Sequence, residues 1–274
     1  MFLFRKKDFI VLLTLTEKMV DGYFSSIPRS KPNIHQVNNT LLIAHRGAHN
    51  NASGVFENTQ RAFQRAKESG CWGIELDVHA TADGILVVNH DHTLKRLWHY
   101  DKTIADLSFK ELNQLAPQVP SLAEIVSEYG NSMHLFIELK APFLHEEALI
   151  ETLSPLAPVI DYHLLTLDSS IFAALRQFPK EVLLLVAAHN NVKEFCNLSI
   201  KKHYGGVMGN YLLLTNKQRN KLKAANQVSG VGFVNSKNSL YRELNRGVQW
   251  IFTNEAVKVS GYLNCLREQS MTST

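Results

Sequence analysis

The sequence predicts an α/β chain whose parallel strands close as a (β/α)8 barrel, with a β-hairpin extension after the second barrel strand and an N-terminal helical extension. Three observations carry this expectation. From residue 41 onward, short apolar runs alternate with longer helical stretches, as in a parallel sheet with crossover helices. One strand pair is too closely spaced in sequence for a crossover, and setting one of its members aside leaves eight strands. Polar groups also recur at, or just beyond, the C-terminal ends of the strands, the edge at which such barrels build their sites.

The elements follow in order. Residues 1–38 read as a helical extension and linker, and 39–274 as the barrel. Met1 to Lys7 is basic and Phe9-Ile10-Val11-Leu12-Leu13 is apolar, which superficially resembles a secretory signal. Asp8 precedes that stretch, Glu17-Lys18 closes it, no small-residue cleavage site follows, and it is too short to span a bilayer. An amphipathic helix docking on the domain is the preferred reading, with weak attachment to a membrane surface as a minor alternative. Ile27-Pro28-Arg29-Ser30-Lys31-Pro32 reads as an extended linker, because each proline removes a donor and restricts its predecessor.

The expected strands are Leu41–Ala44, Gly73–Val78, Ile85–Asn89, Leu135–Leu139, His163–Leu167, Val182–Ala187, Gly206–Met208, Val231–Val234 and Trp250–Thr253. Helices are expected over Thr59–Ser69, over Phe109–Leu115 capped by Ser108, from Pro120-Ser121 onward, and over Ser170–Gln177, Lys193–Asn197 and Asn216–Asn226. Only six residues separate Val78 from Ile85, so those two strands must be an antiparallel hairpin. A two-residue Asp83-Gly84 turn would place His90 opposite Asp77.

Composition bounds the function. The 274 residues are 45% apolar and 20% charged, which suits one large globular domain or two small ones. A net charge of +4, with Lys and Arg scattered rather than in a run, favours anionic small-molecule ligands and argues against a nucleic-acid partner. Cys71, Cys196 and Cys265 are odd in number and show no metal spacing, which points to reduced thiols and a cytoplasmic setting. Oligomeric state is not legible.

The chemistry concentrates at strand ends. In Gly73-Ile74-Glu75-Leu76-Asp77-Val78, period-two alternation buries one apolar face and aims two carboxylates at the other. A hard divalent cation would explain them, and so would salt-bridged or solvated acids. His45-Arg46-Gly47, His90-Asp91, Glu138-Leu139-Lys140 and Asn235 occupy equivalent positions on other strands. Each is weak alone; with 12 histidines in the chain, position does not select two. Together they are coherent. Glu75, Asp77 and Glu138 can hold one divalent ion, Arg46 and Lys140 suit phosphate oxygens, and His45 and His90 can exchange protons near neutral pH. Those are the parts that cleavage of a phosphodiester requires.

From about Leu41 to Glu255 the chain resembles the glycerophosphodiester phosphodiesterase family. The resemblance rests on His45-Arg46-Gly47, Glu57-Asn58-Thr59-Gln60-Arg61-Ala62-Phe63, Gly73-Ile74-Glu75-Leu76-Asp77-Val78, Thr81-Ala82-Asp83-Gly84, Val87-Val88-Asn89-His90-Asp91-His92-Thr93-Leu94, Pro120-Ser121-Leu122 and Ile137-Glu138-Leu139-Lys140. It implies a TIM barrel and metal-dependent hydrolysis of a glycerophosphodiester to sn-glycerol 3-phosphate and an alcohol. On these positions it implies Glu75, Asp77 and Glu138 as ligands of one divalent cation (Mg2+ or Ca2+, with Mn2+ next). It implies His45 and His90 as the acid–base pair and Arg46 and Lys140 as phosphate contacts. Glu57 is expected to hold Arg46 or a histidine in place, while Asn58 or Thr59 caps the next helix.

The chain departs from the family pattern at Phe56, at Gly232-Phe233-Val234-Asn235 and at Thr253-Asn254-Glu255-Ala256, which leaves the headgroup open. Trp72 and Trp98 are expected to pack rather than to bind ligand. Two rival readings stand beside this one: a lysophospholipase D or sphingomyelinase D-like diesterase on the same barrel, and a non-catalytic binding barrel.

Overall fold

The computed structural model describes residues 19–20, 22–188 and 191–271. Apolar residues 9–13, expected to form an amphipathic helix, lie outside these. Nine strands are described: β1 Leu41–His45, β2 Gly73–Ala80, β3 Leu86–Val88, β4 His134–Leu139, β5 Tyr162–Thr166, β6 Leu183–Ala187, β7 Gly206–Asn210, β8 Val228–Gly232 and β9 Trp250–Thr253. Eight are parallel and close in the order β1-β2-β4-β5-β6-β7-β8-β9, with β9 pairing back to β1. The helices are α1 Ile34–Asn38, α2 Gln60–Glu68, α3 Lys95–Trp98, α4 Phe109–Leu115, α5 Leu122–Tyr129, α6 Glu146–Leu153, α7 Ser169–Ala174, α8 Val192–Lys202, α9 Asn216–Ala224, α10 Lys237–Asn245 and α11 Ala256–Met271. None of the described helices is long and apolar enough to cross a membrane.

Alternation along each strand sorts the side chains into two cores. Ile74, Leu76 and Val78 of β2 join Phe63 and Ala66 of α2 in the layer between strands and helices. Ile43, Phe136, Leu165, Leu184, Met208 and Phe252 fill the barrel interior, with Trp72 and Trp250 against them. Trp98 packs on a satellite core built from Val87, Leu94, Ile104, Leu107 and Leu112 over the barrel edge, so both tryptophans pack as expected. The linker residues reach the barrel's helices: Asn245 Nδ2 donates to Ser30 O at 2.9 Å, and α1 lies against α11 with Val37 buried.

Two expectations need correction. The hairpin pairs Val78 with Val88 and Ala80 with Leu86, one residue away from the expected register. Asn89, not His90, therefore lies opposite Asp77, donating its backbone N–H to Asp77 O at 3.0 Å. The cause is a three-residue loop rather than a two-residue turn: Thr81 N–H donates to Ile85 O at 3.0 Å, and Gly84 closes the loop at φ +80°. Asp83 holds that loop by accepting from the Thr81 hydroxyl at 2.6 Å and from Phe109 N–H at 3.0 Å.

The second correction is β8, which runs over Val228–Gly232 rather than Val231–Val234. Ser229-Gly230 reads as a turn in sequence, but the glycine is there for space. A Cβ on Gly230 would lie 2.5 Å from Met208 Sδ in the filled barrel interior.

Candidate active site

Strand register assembles the site. Asp77 pairs with Glu138 across β2 and β4, and His45 with Glu75 across β1 and β2. Glu75, Asp77 and Glu138 are 2%, 0% and 7% exposed, yet each offers a carboxylate oxygen within 4.8 Å of the others. Three buried acids this close repel one another unless cations offset them.

Two cations do so in part. Arg46 follows β1 at φ +56°, which lets its backbone N–H donate to Glu75 Oε2 at 3.0 Å while its Nε lies 3.2 Å from Asp77 Oδ2. The turn needs glycine next, because a Cβ on Gly47 would lie 2.8 Å from the Ala62 backbone. Lys140 Nζ donates to Glu138 Oε1 and lies 2.6 Å from Asp77 Oδ1, an ion pair without hydrogen-bond alignment. Burial pushes the Asp77 carboxyl up, but Lys140 and Arg46 outweigh it and hold the group below the usual range. Glu75 goes the other way: burial, then the charges of Asp77 and Glu138, raise its carboxyl well above the usual range. Burial and Asp77 raise Glu138 as well. Glu75 Oε1 is buried and accepts no hydrogen bond. An orphaned oxygen in an all-oxygen donor set fits a hard divalent cation.

The Glu57-Asn58-Thr59 run serves three purposes. Glu57 Oε1 accepts from Arg46 Nη1 at 3.0 Å and from Arg96 Nη2 at 2.6 Å. Burial opposes its charge, but Arg96 and Arg46 hold the carboxyl down at about 2. Asn58, at φ +59°, donates from Nδ2 to Asp77 Oδ2 at 2.7 Å. Thr59 is the residue that caps α2.

The two histidines have different partners. His45 Nδ1 is 2.6 Å from Asn254 Oδ1, an acceptor, and Nε2 faces Glu75 Oε2 at 3.6 Å. Phe233 lies against the His45 ring with centroids 4.3 Å apart. Burial, then the neighbouring Arg46 charge, pushes His45 down to about 3, so it is neutral. His90 Nδ1 is 2.8 Å from Asp91 Oδ1, and burial lowers this ring too, against the pull of Asp77. Arg96 joins Asp91 Oδ2 at 2.5 Å to Glu57, so an unbroken chain of charged groups runs from His90 to Arg46.

All eight residues singled out in sequence meet at this edge. His45, Arg46, Glu75, His90, Glu138 and Lys140 line one cavity of about 340 Å³, and Asp77 and Glu57 stand behind them. Sequence reasoning assigned no role to Arg96, Asp91 or Asn254 and offered Asn58 only as a helix cap, whereas it reaches Asp77. Asn254 had a signal, since it directly follows β9 as His45 ends β1. Arg96 had none, because it reaches in from α3 rather than from a strand.

A closed parallel barrel with buried carboxylates, two cations and two histidines at the carboxyl ends of its strands is a (β/α)8 barrel with a candidate active site at that edge. Residues 45–160 match the family model of the glycerophosphoryl diester phosphodiesterase family. It is 39% identical over 114 residues to a glycerophosphodiester phosphodiesterase of Caldanaerobacter subterraneus, covering 37% of this chain and 46% of that one. It is 30% identical over 172 residues to the Bacillus subtilis glycerophosphodiester phosphodiesterase, covering 54% of this chain and 58% of that one. The matched stretches thus span about half the length of these relatives. An Oleispira antarctica phosphodiesterase, solved with the product sn-glycerol-3-phosphate, shares the fold at TM-score 0.70 and 22% identity, over 82% of this chain and 96% of that one.

Proposed function

We propose that this chain is a phosphoric diester hydrolase that cleaves glycerophosphodiesters to sn-glycerol 3-phosphate and an alcohol with the help of one divalent cation. The observation that carries this reading is the juxtaposition of three buried carboxylates, one with an orphaned oxygen, and two cations in a cavity also lined by two histidines. Glu75, Asp77 and Glu138 would hold the cation, and their oxygen donors suit Mg2+ or Ca2+, and Mn2+ next. When bound, such an ion supplies Lewis-acid stabilisation of phosphate charge and a more acidic nucleophile.

The chain's own residues do the rest. Arg46 and Lys140 bind the phosphate oxygens, and Glu57, already paired to Arg46, keeps that guanidinium aimed. Asn254 Oδ1 accepts from His45 Nδ1, which leaves Nε2 as the reactive nitrogen; Asp91 does the same for His90. One ring takes the proton of the nucleophile and the other returns a proton to the departing alkoxide. Residues 39–274 are the catalytic unit in this reading, and 1–38 its extension. Free cysteines at 71, 196 and 265, two of them buried, favour a reducing, cytoplasmic setting.

The test is release of glycerol 3-phosphate from glycerophosphocholine and glycerophosphoethanolamine, with and without chelator. Chelator-sensitive release supports the reading. No release in Mg2+, Mn2+ or Ca2+ overturns it.

A further inference from the structure

Two neighbouring cations on the short helix α3 find very different company. Lys95 Nζ lies 2.9 Å from Asp101 Oδ2, with both side chains more than two-thirds exposed. Solvent screens such a pair, and it contributes little. Arg96, next in sequence, turns its guanidinium inward: Nε is 2.5 Å from Asp91 Oδ2 and Nη2 is 2.6 Å from Glu57 Oε1. Those two side chains are only 24% and 6% exposed. The helix does not need Arg96 to stay in place. Leu94 is fully buried before it, and Trp98 packs on the satellite core while its Nε1 donates to Asn89 Oδ1 at 3.1 Å. Leu94 N–H also donates to Lys102 O at 3.0 Å, which fixes the entry to the helix through the backbone.

The purpose of the inward fork lies in what its two partners hold. Asp91 Oδ1 is 2.8 Å from His90 Nδ1, and Glu57 Oε1 also accepts from Arg46 Nη1 at 3.0 Å. Each carboxylate therefore stands between Arg96 and one side chain of the cavity. Burial opposes the Asp91 charge, but Arg96 and His90 hold its carboxyl below the usual range. Without Arg96, His90 would be the ion-pair partner left to Asp91 among the described residues. Glu57 would keep Asn51 on Oε2 and direct the charge of Oε1 at Arg46 alone, in competition with a phosphate.

We infer that Arg96 is a positioning residue: its planar fork holds Asp91 and Glu57 at one spacing and so sets His90 and Arg46 relative to each other across the cavity. The inference rests on the diesterase reading and adds to it a residue that does not line the cavity itself. Proton transfer at His90 and phosphate binding at Arg46 belong to one turnover, so an error in their separation enters both kcat and KM. A guanidinium suits this task because its N–H groups are fixed in one plane. A lysine ammonium is a point charge on a flexible stem and does not fix two carboxylates at set angles.

The experiment follows Arg96→Gln and Arg96→Lys in the full chain, on glycerophosphocholine and glycerophosphoethanolamine in Mg2+, Mn2+ or Ca2+, at a temperature where melting curves show each variant folded. Loss of a supporting contact of this kind costs about 10–100-fold. Arg96→Gln should lower kcat/KM by about that factor, with kcat reduced and KM raised. Arg96→Lys keeps the charge and should stay within about threefold of Arg96→Gln. With both carboxylates removed by Glu57→Gln and Asp91→Asn, adding Arg96→Gln should cost less than about twofold, because both routes are already cut. Calorimetric binding of sn-glycerol 3-phosphate in Mg2+ runs alongside as a readout free of turnover, and Arg96→Gln should weaken it severalfold. Diester cleavage at the parental kcat/KM in Arg96→Gln overturns the positioning role and leaves the diesterase reading standing. So does full recovery by Arg96→Lys, which would reduce the effect to charge, or an undiminished loss where Glu57 and Asp91 are already replaced, which would route it elsewhere. Weaker binding of glycerol 3-phosphate in Arg96→Gln, with no diester cleaved by the parent, retains the positioning of Arg46 and sinks the diesterase reading. Parental binding with no turnover sinks both.

Discussion

Glu243 on α10 and Glu75 on β2 are buried carboxylates in very different company. Glu243 is fully buried, and both of its oxygens are taken, one by Arg242 and the other by Arg246 Nη1 at 2.6 Å. Those guanidiniums go on to hold backbone carbonyls of the segment after β7, Tyr211 O at 2.9 Å and Leu214 O at 2.6 Å. The node ties a helix to a loop and has nothing left to offer a ligand. Glu75 keeps one oxygen without a hydrogen bond and faces two further carboxylates. Burial of a charge is common to both and identifies neither; the difference is in whether the folded chain completes the group's shell. An incomplete shell costs stability, and a ligand that completes it recovers that cost.

This contrast can be broken by substitution. The largest effects should come from the histidines: His45→Ala and His90→Ala should each lower the rate of diester cleavage by about 10²–10⁴-fold with an unchanged melting curve. Near-full activity in both would remove them from the chemistry. Glu243→Ala should do the reverse, costing about 3–5 kcal/mol in denaturant unfolding because it strands two guanidiniums among buried groups. A loss under 1 kcal/mol would mean the node is not the structural pair described above. Glu75→Gln separates the two glutamates most directly. It replaces a carboxylate by an isostere of its protonated form, so without divalent cation the melting temperature should hold or rise. A saturating cation at about a hundredfold over its Kd should stabilise the parent by about 2.7 kcal/mol, and the variant by clearly less. Equal shifts in both would take Glu75 out of the ligand set.

How much of this was legible in sequence depends on whether a side chain acts along its own strand or across space. Glu75, Asp77 and Glu138 were readable because period two fixes which face a strand residue takes, and closure of the barrel does the rest. The hairpin register was missed by one because Asp83 is shared with Phe109 N–H, twenty-six residues on, and that tie selects the longer loop. Gly230 shifted the expected bounds of β8, since a glycine that makes room for Met208 looks the same in sequence as one that makes a turn. Arg96 could not be found at all: its two partners, Glu57 and Asp91, lie on separate loops that only the folded satellite core brings together.

The smallest effect expected lies at the other end of the barrel and completes the comparison. There His134 and His163 satisfy each other, with His134 Nε2 2.8 Å from His163 Nδ1 and His134 Nδ1 2.9 Å from Ile160 O, while Trp72 stacks on His134. Both rings are buried and neutral: burial lowers His134 to about 4, and burial with the neighbouring His134 charge lowers His163 to about 3. Unfolded, each would titrate near 6.5. Above that pH neither state is protonated and the pair contributes in full. As pH falls below 6.5 the unfolded chain binds protons that the folded one refuses, so stability drops by up to about 1.4 kcal/mol per pH unit for each ring. The loss stops growing once the folded pKa is passed. His163→Gln keeps a hydrogen-bonding group beside His134 and removes one titration. Its urea midpoint should therefore fall less steeply than the parent's between pH 6.5 and 4.5. Parallel slopes would mean that His163 is already protonated in the fold, and that this end of the barrel, like the other, carries buried charge.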